Sequence, residues 1–331
     1  FERLERAYRR ARRGKRDRAE VLRFEQNLEG ELIQLQNELI WGEYETSPYR
    51  TFYVHEPKVR LVAALPFRDR VVQQSLVEMI EPIWEPRFIH HSYACRPGKG
   101  MHAGADQAQQ WLREVQRTHG RAYCLKADIS KYFPSIDHDV LKGILAERIA
   151  CPRTLTLCEN IIDSWGPGLP IGNLTSQLWA NVYLHEFDSY VKQTLGVHRY
   201  MRYMDDWLII HHDKAYLHEL RQHLESWLRC KLRLSLNHKT QVFPVSGHRG
   251  RGLDYLGYRI WPTHRRLRKD SVKRMRRKMK VLQLQYQRGE IGMDDIRARV
   301  ASWLGHAQHA DTYRVRGRVL GERSFSRDNQ R

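Results

Sequence analysis

The chain has 331 residues, of which 41% are hydrophobic, and its 57 Lys and Arg against 38 Asp and Glu give a formal net charge of +19. Such a length suffices for a sizeable core and more than one lobe. No stretch approaches the roughly 20 apolar residues of a membrane-spanning helix, and the five scattered cysteines form no C-x-x-C pair, so free thiols in the cytoplasm are expected. The charge therefore predicts a polyanionic partner, nucleic acid before a membrane surface.

The N-terminal 45 residues are predicted to be helical, because Leu28, Leu32, Leu35 and Leu39 recur at helical spacing. A basic run from Arg9 to Arg18 precedes these leucines. It fits a solvated helix face and equally a phosphate or partner contact, and the sequence leaves both alternatives open.

The middle of the chain mixes strands and helices without a strict βαβ alternation, which favours an α+β fold. The expected strands are Thr51–Val54, Lys58–Ala63, Tyr123–Ile129, a hairpin over His198–His212, and segments near 240–245 and 253–261. The expected helices are Asp69–Trp84, 101–119, Asp137–Ile149, Asn173–Leu195, 214–230 and a basic helical tail.

Three carboxylates stand at the ends of predicted strands. Asp128 closes the strand that begins at Tyr123, and Asp205 and Asp206 occupy the hairpin turn. A pair of aspartates alone is common in ordinary turns. Here the flanking segment Tyr200–Ile210 is aromatic and apolar, and adjacent buried carboxylates need a neutralising cation. If a central antiparallel sheet joins these strands, the carboxylates form an oxygen site suited to Mg²⁺. Two such ions, about 4 Å apart, activate a 3′-hydroxyl and stabilise leaving pyrophosphate.

The segments around these carboxylates resemble motifs of reverse transcriptases. Tyr203-Met204-Asp205-Asp206 resembles their catalytic box, and Asp128–Phe133 resembles their first carboxylate motif. Further similar stretches, in chain order, are Lys58–Arg60, Phe67–Gln73, Tyr93–Gly100, Leu236–Thr240 and Leu253–Tyr258. The resemblance implies a right-hand polymerase with fingers, a palm built on an antiparallel sheet, and a helical thumb. The implied parts are an N-terminal helical segment over 1–45, fingers over 46–122 together with 166–196, a palm over 123–262 and a basic thumb over 263–331.

One motif narrows the resemblance to a subgroup of reverse transcriptases. Leu169–Gln177 has the form I-G-x-x-x-S-Q, with Ile171 and Gln177 where most reverse transcriptases carry Gln and Pro. This form, like the stretches 258–264 and 301–308, resembles the reverse transcriptases of diversity-generating retroelements. Such enzymes act in the cytoplasm of bacterial or phage-infected cells. They copy a template-repeat RNA into cDNA with errors at template adenines, and they act with a pentameric accessory variability protein.

The resemblance also implies roles for individual residues. The implied catalytic and metal-binding groups are Asp128, Asp205 and Asp206, the backbone carbonyl of Ile129, and Lys239 as general acid to pyrophosphate. The implied cofactor is a pair of Mg²⁺ ions, with Mn²⁺ as an alternative. The implied dNTP-binding residues are Lys58, Arg60, Phe133 as a steric gate, Ile171 and Gln177. The implied primer grip is Tyr255, Leu256 and Gly257.

Contacts to the backbone of template RNA and of the RNA/cDNA hybrid are expected from Arg96, Lys99, Lys273, Arg274, Arg277 and Lys278. In the tail, Val272, Met275, Met279 and Leu282 share one helical face, and no acid lies between Lys273 and Lys280. Several local alternatives remain. Lys58, Arg60 and Lys239 fit surface cations, and Phe133 fits core packing.

Two other functions compete with this reading. One is a different bacterial reverse transcriptase, either a group II intron maturase or a phage-defence enzyme, and the Ile171–Gln177 box argues against the maturase. The other is a catalytically idle RNA-binding scaffold with the same fold. Retention of all three carboxylates argues against the scaffold.

Overall fold

The computed structural model describes residues 1–55, 58–247, 251–322 and 324–326. The chain divides into two compact units. The first unit comprises Phe1–Pro97, Ala127–Trp207 and Leu220–Thr240, and the second comprises Gly98–Lys126, Leu208–Glu219 and the chain from Gln241 onward. None of the helices in the described ranges has the length and apolar character needed to cross a bilayer.

Helices account for most of the regular structure. They are α1 (Glu2–Ala11), α2 (Ala19–Glu25), α3 (Leu28–Trp41), α4 (Phe67–Trp84), α5 (Met101–His119), α6 (Tyr132–Ser135), α7 (His138–Ala146), α8 (Pro152–Asp163), α9 (Leu174–Ser189), continued by a π-helical turn (Tyr190–Thr194), α10 (Lys214–Leu232), α11 (Lys269–Gln287), α12 (Met293–Ala307) and α13 (Tyr313–Gly321). Sequence analysis gives no element for α8, although a proline in the first turn is a favourable helix start.

The strands are β1 (Arg50–Val54), β2 (Arg60–Ala64), β3 (Tyr123–Asp128), β4 (Tyr200–Tyr203), β5 (Asp206–His211), β6 (Gln241–Pro244), β7 (Leu253–Tyr255), β8 (Tyr258–Ile260) and β9 (Arg265–Leu267). In the described ranges they form a β1-β2 hairpin, a sheet of order β4-β5-β3-β6 and a sheet of order β7-β8-β9. The predicted mixture of helices with antiparallel pairs, such as β3 with β6, is confirmed.

The N-terminal helices pack through apolar side chains, as the leucine spacing predicts. Leu32 and Leu35 of α3 are buried. The rings of Tyr8, Phe24 and Phe67 join α1 and α2 to α4, with centroid separations of 5.2 Å for Phe24–Phe67 and 6.0 Å for Tyr8–Phe24. The segment therefore packs as three short helices, with α3 the one that carries the leucines.

The β1-β2 hairpin is anchored by the loop that precedes α9. The backbone N–H of Ala63 donates to the carbonyl of Ile171 at 2.9 Å. Gly172 adopts φ 131°, and a Cβ there would lie 2.4 Å from the carbonyl oxygen of Ala63. Only glycine permits this approach. The predicted strand begins two residues too early, because pairing with β1 ends at Val54–Arg60 and Lys58 lies in the bend before it.

The C-terminal helices of the second unit share one small core. Met275, Met279 and Leu282 of α11 are buried against Ile296 of α12 and Val319 of α13. The predicted apolar face of α11 is thus confirmed. The cations named from the same helix, Lys273, Arg274, Arg277 and Lys278, are exposed.

Candidate active site

Two of the three predicted carboxylates meet at the end of β3. The backbone N–H of Ile129 donates to the carbonyl of Asp205 at 3.3 Å, which ties the residue after Asp128 to the β4-β5 turn. Met204 adopts φ 56° in this turn, a left-handed conformation that lets the chain reverse within two residues. The turn therefore presents Asp205 beside Asp128.

Asp205 occupies an unfavourable electrostatic setting. Burial first, and the charge of Asp128 second, raise the pKa of Asp205 to about 6, while the charge of Arg60 acts in the opposite direction. The effect of Arg60 places this exposed cation of β2 within electrostatic reach of the carboxylates. Both residues are half-buried, and a carboxylate pair with excess negative charge is a site that a cation would stabilise.

Asn237 supports Asp128 from the other side. Its backbone N–H donates to the Asp128 carbonyl at 2.7 Å, and its side-chain amide lies 3.5 Å from Asp128 Oδ2. The Asn237 side chain also accepts a hydrogen bond at 3.0 Å from the N–H of Lys239, whose own side chain is exposed. Sequence analysis assigns Asn237 no role, although it lies inside the recognised Leu236–Thr240 motif.

Arg202 holds the β4-β5 turn from within the core. Its side chain is 0% exposed and donates to both carboxylate oxygens of Asp188, at 2.6–3.0 Å. The same guanidinium donates to the side-chain oxygen of Asn181 and to the backbone carbonyl of Met204, both at 3.1 Å. The hydroxyl of Tyr200 also donates to Asp188, at 2.6 Å. Arg202 is not among the predicted site residues, although a charge inside an otherwise apolar strand is a signal for it.

The residues predicted to bind the nucleotide lie on three segments of the first unit. Phe133 is half-buried, whereas the adjacent Tyr132 is buried and donates to the carbonyl of Ala180 at 2.5 Å. The N–H of Leu169 donates to the Phe133 carbonyl at 2.8 Å, and Gly168 (φ 78°) leaves no room for a Cβ against that carbonyl. Tyr132 therefore fills the core position, and Phe133 is left at its edge.

The other residues predicted to bind the nucleotide are half-buried or exposed. Ile171 is half-buried beside Ala63, and its anchoring bond comes from its backbone carbonyl. Gln177, in the first turns of α9, is exposed, as is Lys58. No contact among these side chains follows from the structure.

The predicted three-carboxylate metal site is not formed as expected. Across residues 1–55, 58–247, 251–322 and 324–326, no group of three or more His, Cys, Asp or Glu side chains is arranged to hold a metal. Asp205 ends the turn and Asp206 begins β5. The carboxylate that lies beside Asp128 is that of Asp205. The close pair Asp128 and Asp205 nevertheless offers hard oxygen donors that fit a divalent cation.

The predicted primer grip is a tight hairpin in the second unit. Tyr255 is buried at the end of β7. Leu256 and Gly257 have φ values of 49° and 85° and form a two-residue loop before Tyr258, which pairs with Tyr255. A Cβ at Gly257 would lie 3.1 Å from the ring of His306. Glycine is therefore needed here for its conformation and for space.

One predicted nucleic-acid contact does not fit its placement. The Arg96 side chain is 7% exposed and donates to both carboxylate oxygens of Glu85, at 2.8–3.0 Å. It also donates to the carbonyls of Ile89 and Ser92, and it lies 5.2 Å from the Phe88 ring centroid. These hydrogen bonds engage the guanidinium within the protein, so the Arg96 side chain does not face a phosphate. Lys99, the other cation named there, is half-buried in the second unit.

Comparison with known proteins identifies the fold and the family. Residues 54–260 match the family described as reverse transcriptase (RNA-dependent DNA polymerase). Protein YkfC of Escherichia coli (strain K12) is 28% identical over 274 residues, 70% of this chain and 71% of YkfC. The group II intron-encoded protein LtrA of Lactococcus lactis subsp. cremoris is 29% identical over 166 residues, 46% of this chain but 26% of LtrA.

A solved structure of telomerase from Candida tropicalis with a TWJ fragment of telomeric RNA aligns at a TM-score of 0.53 and 11% identity. The alignment covers 88% of this chain and 59% of that one. It supports the right-hand polymerase fold.

Replacing Asp205 by Asn should stabilise the protein when divalent ions are removed by a chelator. An acid whose pKa rises from 3.8 to about 6 on folding holds its proton more tightly in the folded state, so the free energy of unfolding falls as pH rises through this range. Asp205→Asn removes that loss. We expect it to exceed wild type by on the order of 1–3 kcal/mol near pH 8 and to match it below about pH 4.

Urea unfolding at several pH values measures this difference. The exposed Asp17, changed to Asn, serves as the control and should follow wild type at every pH. A wild-type protein that is the more stable of the two at pH 8 would contradict the electrostatic picture.

Proposed function

The chain belongs to the reverse transcriptase family, and from this premise we propose that it is the RNA-directed DNA polymerase of a diversity-generating retroelement. It copies a template-repeat RNA into cDNA with errors at template adenines, for mutagenic retrohoming in the cytoplasm of a bacterial or phage-infected cell. The observation that carries the polymerase function is the half-buried pair Asp128 and Asp205, joined through the Ile129–Asp205 hydrogen bond. The subtype is supported by the box Leu169–Gln177.

Asp128 and Asp205 are the residues that would hold divalent metal, with Asp206 and the Ile129 carbonyl as further ligands. Two bound Mg²⁺ ions, or Mn²⁺, would lower the pKa of the primer 3′-hydroxyl and neutralise the leaving pyrophosphate. Arg60, whose charge already reaches Asp205, is suited to the incoming triphosphate. Lys239 is exposed beside the Asn237 that braces Asp128, and it donates a proton to the pyrophosphate.

Residues in and near α6 and α9 select the incoming nucleotide. Phe133 stands at the edge of the core, where its ring excludes a ribose 2′-hydroxyl and so favours dNTPs over NTPs. Ile171 and Gln177 contribute to the same dNTP site, with Lys58 as a further cation. Because an isoleucine side chain forms no hydrogen bond, discrimination between bases rests on fewer polar contacts at Ile171.

The second unit binds the RNA/cDNA hybrid. The exposed cations Lys273, Arg274, Arg277 and Lys278 follow its phosphates, together with Lys99. Recognition of an RNA-containing duplex by backbone and shape needs no base-reading motif. The tight turn at Leu256 and Gly257, next to the buried Tyr255, positions the primer end. The same basic surfaces are suited to a pentameric accessory variability protein.

A second candidate is an enzyme of the group II intron type. LtrA is described as a group II intron-encoded protein, and its likeness to this chain favours that alternative. Ile171 and Gln177 argue for the diversity-generating type. The error spectrum opposite template adenine distinguishes the two.

Primer extension tests the polymerase. With Mg²⁺, the wild-type protein should extend a DNA primer on an RNA template, and Asp205→Ala should reduce extension below detection because one of the two converging carboxylates is lost. Asp17→Ala is the control and should extend normally. Equal extension by wild type and Asp205→Ala would contradict the assignment, and RNA binding without extension by either would indicate the idle scaffold.

Removing Arg202 should lower kcat for dNTP incorporation, because Arg202 holds the turn that carries Asp205. Arg202→Met leaves the Asp188 charge buried alone, at a cost of about 3–5 kcal/mol in unfolding free energy. The charge-free variant Tyr200→Phe/Asp188→Leu/Arg202→Met should regain most of that stability. It still lacks the bond to the Met204 carbonyl, so we expect kcat to stay about 10- to 100-fold low with a smaller change in dNTP KM.

Urea unfolding and steady-state kinetics on the same preparations provide both readouts. If the stabilised triple variant has the kcat of wild type, Arg202 contributes to stability alone and not to the position of the turn.

Ile171→Gln should make cDNA synthesis more accurate opposite template adenine. A glutamine restores polar contacts that reject mismatches, and we expect misincorporation at adenines to fall by roughly tenfold. Sequencing of cDNA made on a defined RNA measures the change, with Ile171→Val as the apolar control. An unchanged error rate at adenine would exclude this role for Ile171, and a wild-type enzyme that is accurate at adenine would exclude the diversity-generating subtype.

A further inference from the structure

Three segments of the first unit differ in charge from the rest of the chain. The chain has 57 Lys and Arg residues, yet none lies within residues 24–49, 71–86 or 154–191. These ranges contain all of α3 and most of α4 and α8. Residues 24–49 alone carry six glutamates. The three segments are therefore anionic in a protein whose formal net charge is +19.

Part of this negative charge is neutralised inside the protein. Arg10 pairs with Glu78 at 3.1 Å. Arg12 pairs with Glu25 at 2.7 Å. Both arginines belong to the basic run near the N-terminus, which therefore serves the fold in part. Other acids of the three segments enter none of the ion pairs found in the ranges that the structure describes, and they include Glu29, Glu43, Glu45 and Glu159.

A groove of about 500 Å³ lies where these segments meet, between α4, α8 and the end of α3. We call it the α4-α8 groove. From α4 it is lined by Val72, Ser75, Leu76 and Met79. From α8 it is lined by Arg153, Thr156, Leu157 and Asn160. Both sets have the spacing i, i+3, i+4 and i+7, which places each set on one face of its helix. Two helices therefore present one face each, about two turns long, to the same groove.

Apolar side chains at the groove remain in contact with solvent. Met79 is 36% exposed. Ile40 and Trp41, which follow the lining residue Leu39, are 48% and 74% exposed. Among the described residues that line the groove, the one cation is Arg153, whose guanidinium donates to the backbone carbonyls of Leu39 and Ile40. A large exposed indole beside an apolar groove is typical of a surface that binds a protein.

Nucleic acid does not fit this groove. Phosphates require free cations, whereas Arg153 is already engaged by the backbone. The exposed Glu43 and Glu45 flank the lining residue Tyr44, and their carboxylates repel a polyanion. The same repulsion disfavours an anionic membrane surface. The groove therefore suits a ligand that is apolar and positively charged.

We propose that the α4-α8 groove binds an amphipathic helix of a partner protein, with an apolar stripe bordered by lysine and arginine. Helices dock into grooves through apolar residues at i, i+3, i+4 and i+7, the spacing that both walls of this groove show. The stripe covers Met79, and the flanking cations meet the carboxylates of Glu43 and Glu45. Seven residues of helix rise by about 10 Å, so the docked stretch is about two turns long. The inference does not depend on the polymerase function.

Three synthetic peptides of about 18 residues, long enough to form a helix, test the proposal. The first carries a leucine stripe bordered by lysines, and the second carries the same stripe bordered by glutamates. The third keeps the lysines but has serines in place of the leucines. Fluorescence anisotropy of the labelled peptides measures their affinity for the full chain. We expect the leucine–lysine peptide to bind at least about tenfold more tightly than either of the others, with an affinity that falls as salt is added.

Cys151 reports where the peptide binds. Its free thiol is exposed and lines the groove. Hydrogen bonding by Thr154 lowers the pKa of this thiol, so it reacts readily with an alkylating reagent. The leucine–lysine peptide, at about ten times its Kd, should slow alkylation of Cys151 by roughly tenfold. Cys230, an exposed thiol of α10 in the same unit, should react at an unchanged rate. Mass spectrometry of the alkylated chain measures both rates.

A substitution in the groove tests the apolar contact. Met79→Lys places a cation among the lining residues and should weaken binding of the leucine–lysine peptide by at least about tenfold. Leu22→Lys is the matched control. Leu22 is an apolar residue of α2 in the same unit and is 50% exposed, so this variant should bind the peptide as wild type does.

A second pair of variants tests the charge. Glu43→Gln/Glu45→Gln removes two exposed carboxylates beside the groove and should reduce the preference for lysine over glutamate flanks. Glu2→Gln/Asp17→Asn removes two exposed carboxylates elsewhere in the first unit and should leave that preference unchanged.

Each outcome supports or overturns the proposal. Protection of Cys151 in wild type, together with loss of binding in the groove variants, supports it. Equal affinity for lysine and glutamate flanks, or binding that leaves Cys151 unprotected, overturns it. Protection of Cys151 by an RNA oligonucleotide would assign the groove to nucleic acid. Sedimentation that shows a dimer of the wild-type chain and a monomer of Met79→Lys would assign it to a second copy. Either assignment overturns the proposal.

Primer extension on the same preparations separates this proposal from the polymerase assignment. The groove variants should extend a primer as wild type does, because their substitutions lie outside the proposed catalytic and nucleotide-binding residues. A protein that binds the leucine–lysine peptide but extends no primer would contradict the polymerase assignment alone.

Discussion

The first unit is organised around two negative charges that repel each other. Asp128 and Asp205 come from segments 77 residues apart, which meet where β3 lies beside β5 and where the Ile129 N–H donates to the Asp205 carbonyl. Burial and mutual repulsion raise the pKa of Asp205. The fold must therefore supply enough rigidity to hold an arrangement that is unfavourable without a cation. Asn237 on one side and Arg202 on the other provide it.

Arg202 supplies this rigidity although burying its charge costs free energy. A buried ion pair contributes little net stability, because the desolvation of both charges offsets their attraction. Its value here is geometric, since one planar guanidinium contacts Asp188, Asn181 and the Met204 carbonyl at once. A lysine offers no such fork. The network thus links α9 to the turn that carries Asp205.

Local patterns in the sequence predict many of these elements. They do not reveal side-chain partners that lie far apart in the chain. The apolar face of α11 and the aspartate at the end of β3 follow from periodicity of 3.6 and 2 residues, and both predictions are confirmed. The buried partners of Arg202 and Arg96 lie on other elements, and no spacing rule announces them. Consecutive aspartates likewise predict three converging carboxylates, whereas no group of three metal-ligating side chains is found among the described residues.

The loop before α9 shows how a side chain can be free to vary while its backbone stays fixed. Gly168 packs closely against the backbone of Phe133, and Gly172 packs closely against the backbone of Ala63. Ile171 is held through its carbonyl, which accepts from the Ala63 N–H. Nothing in that anchor depends on the isoleucine side chain. A different residue can therefore occupy position 171 without moving the strand that carries Arg60.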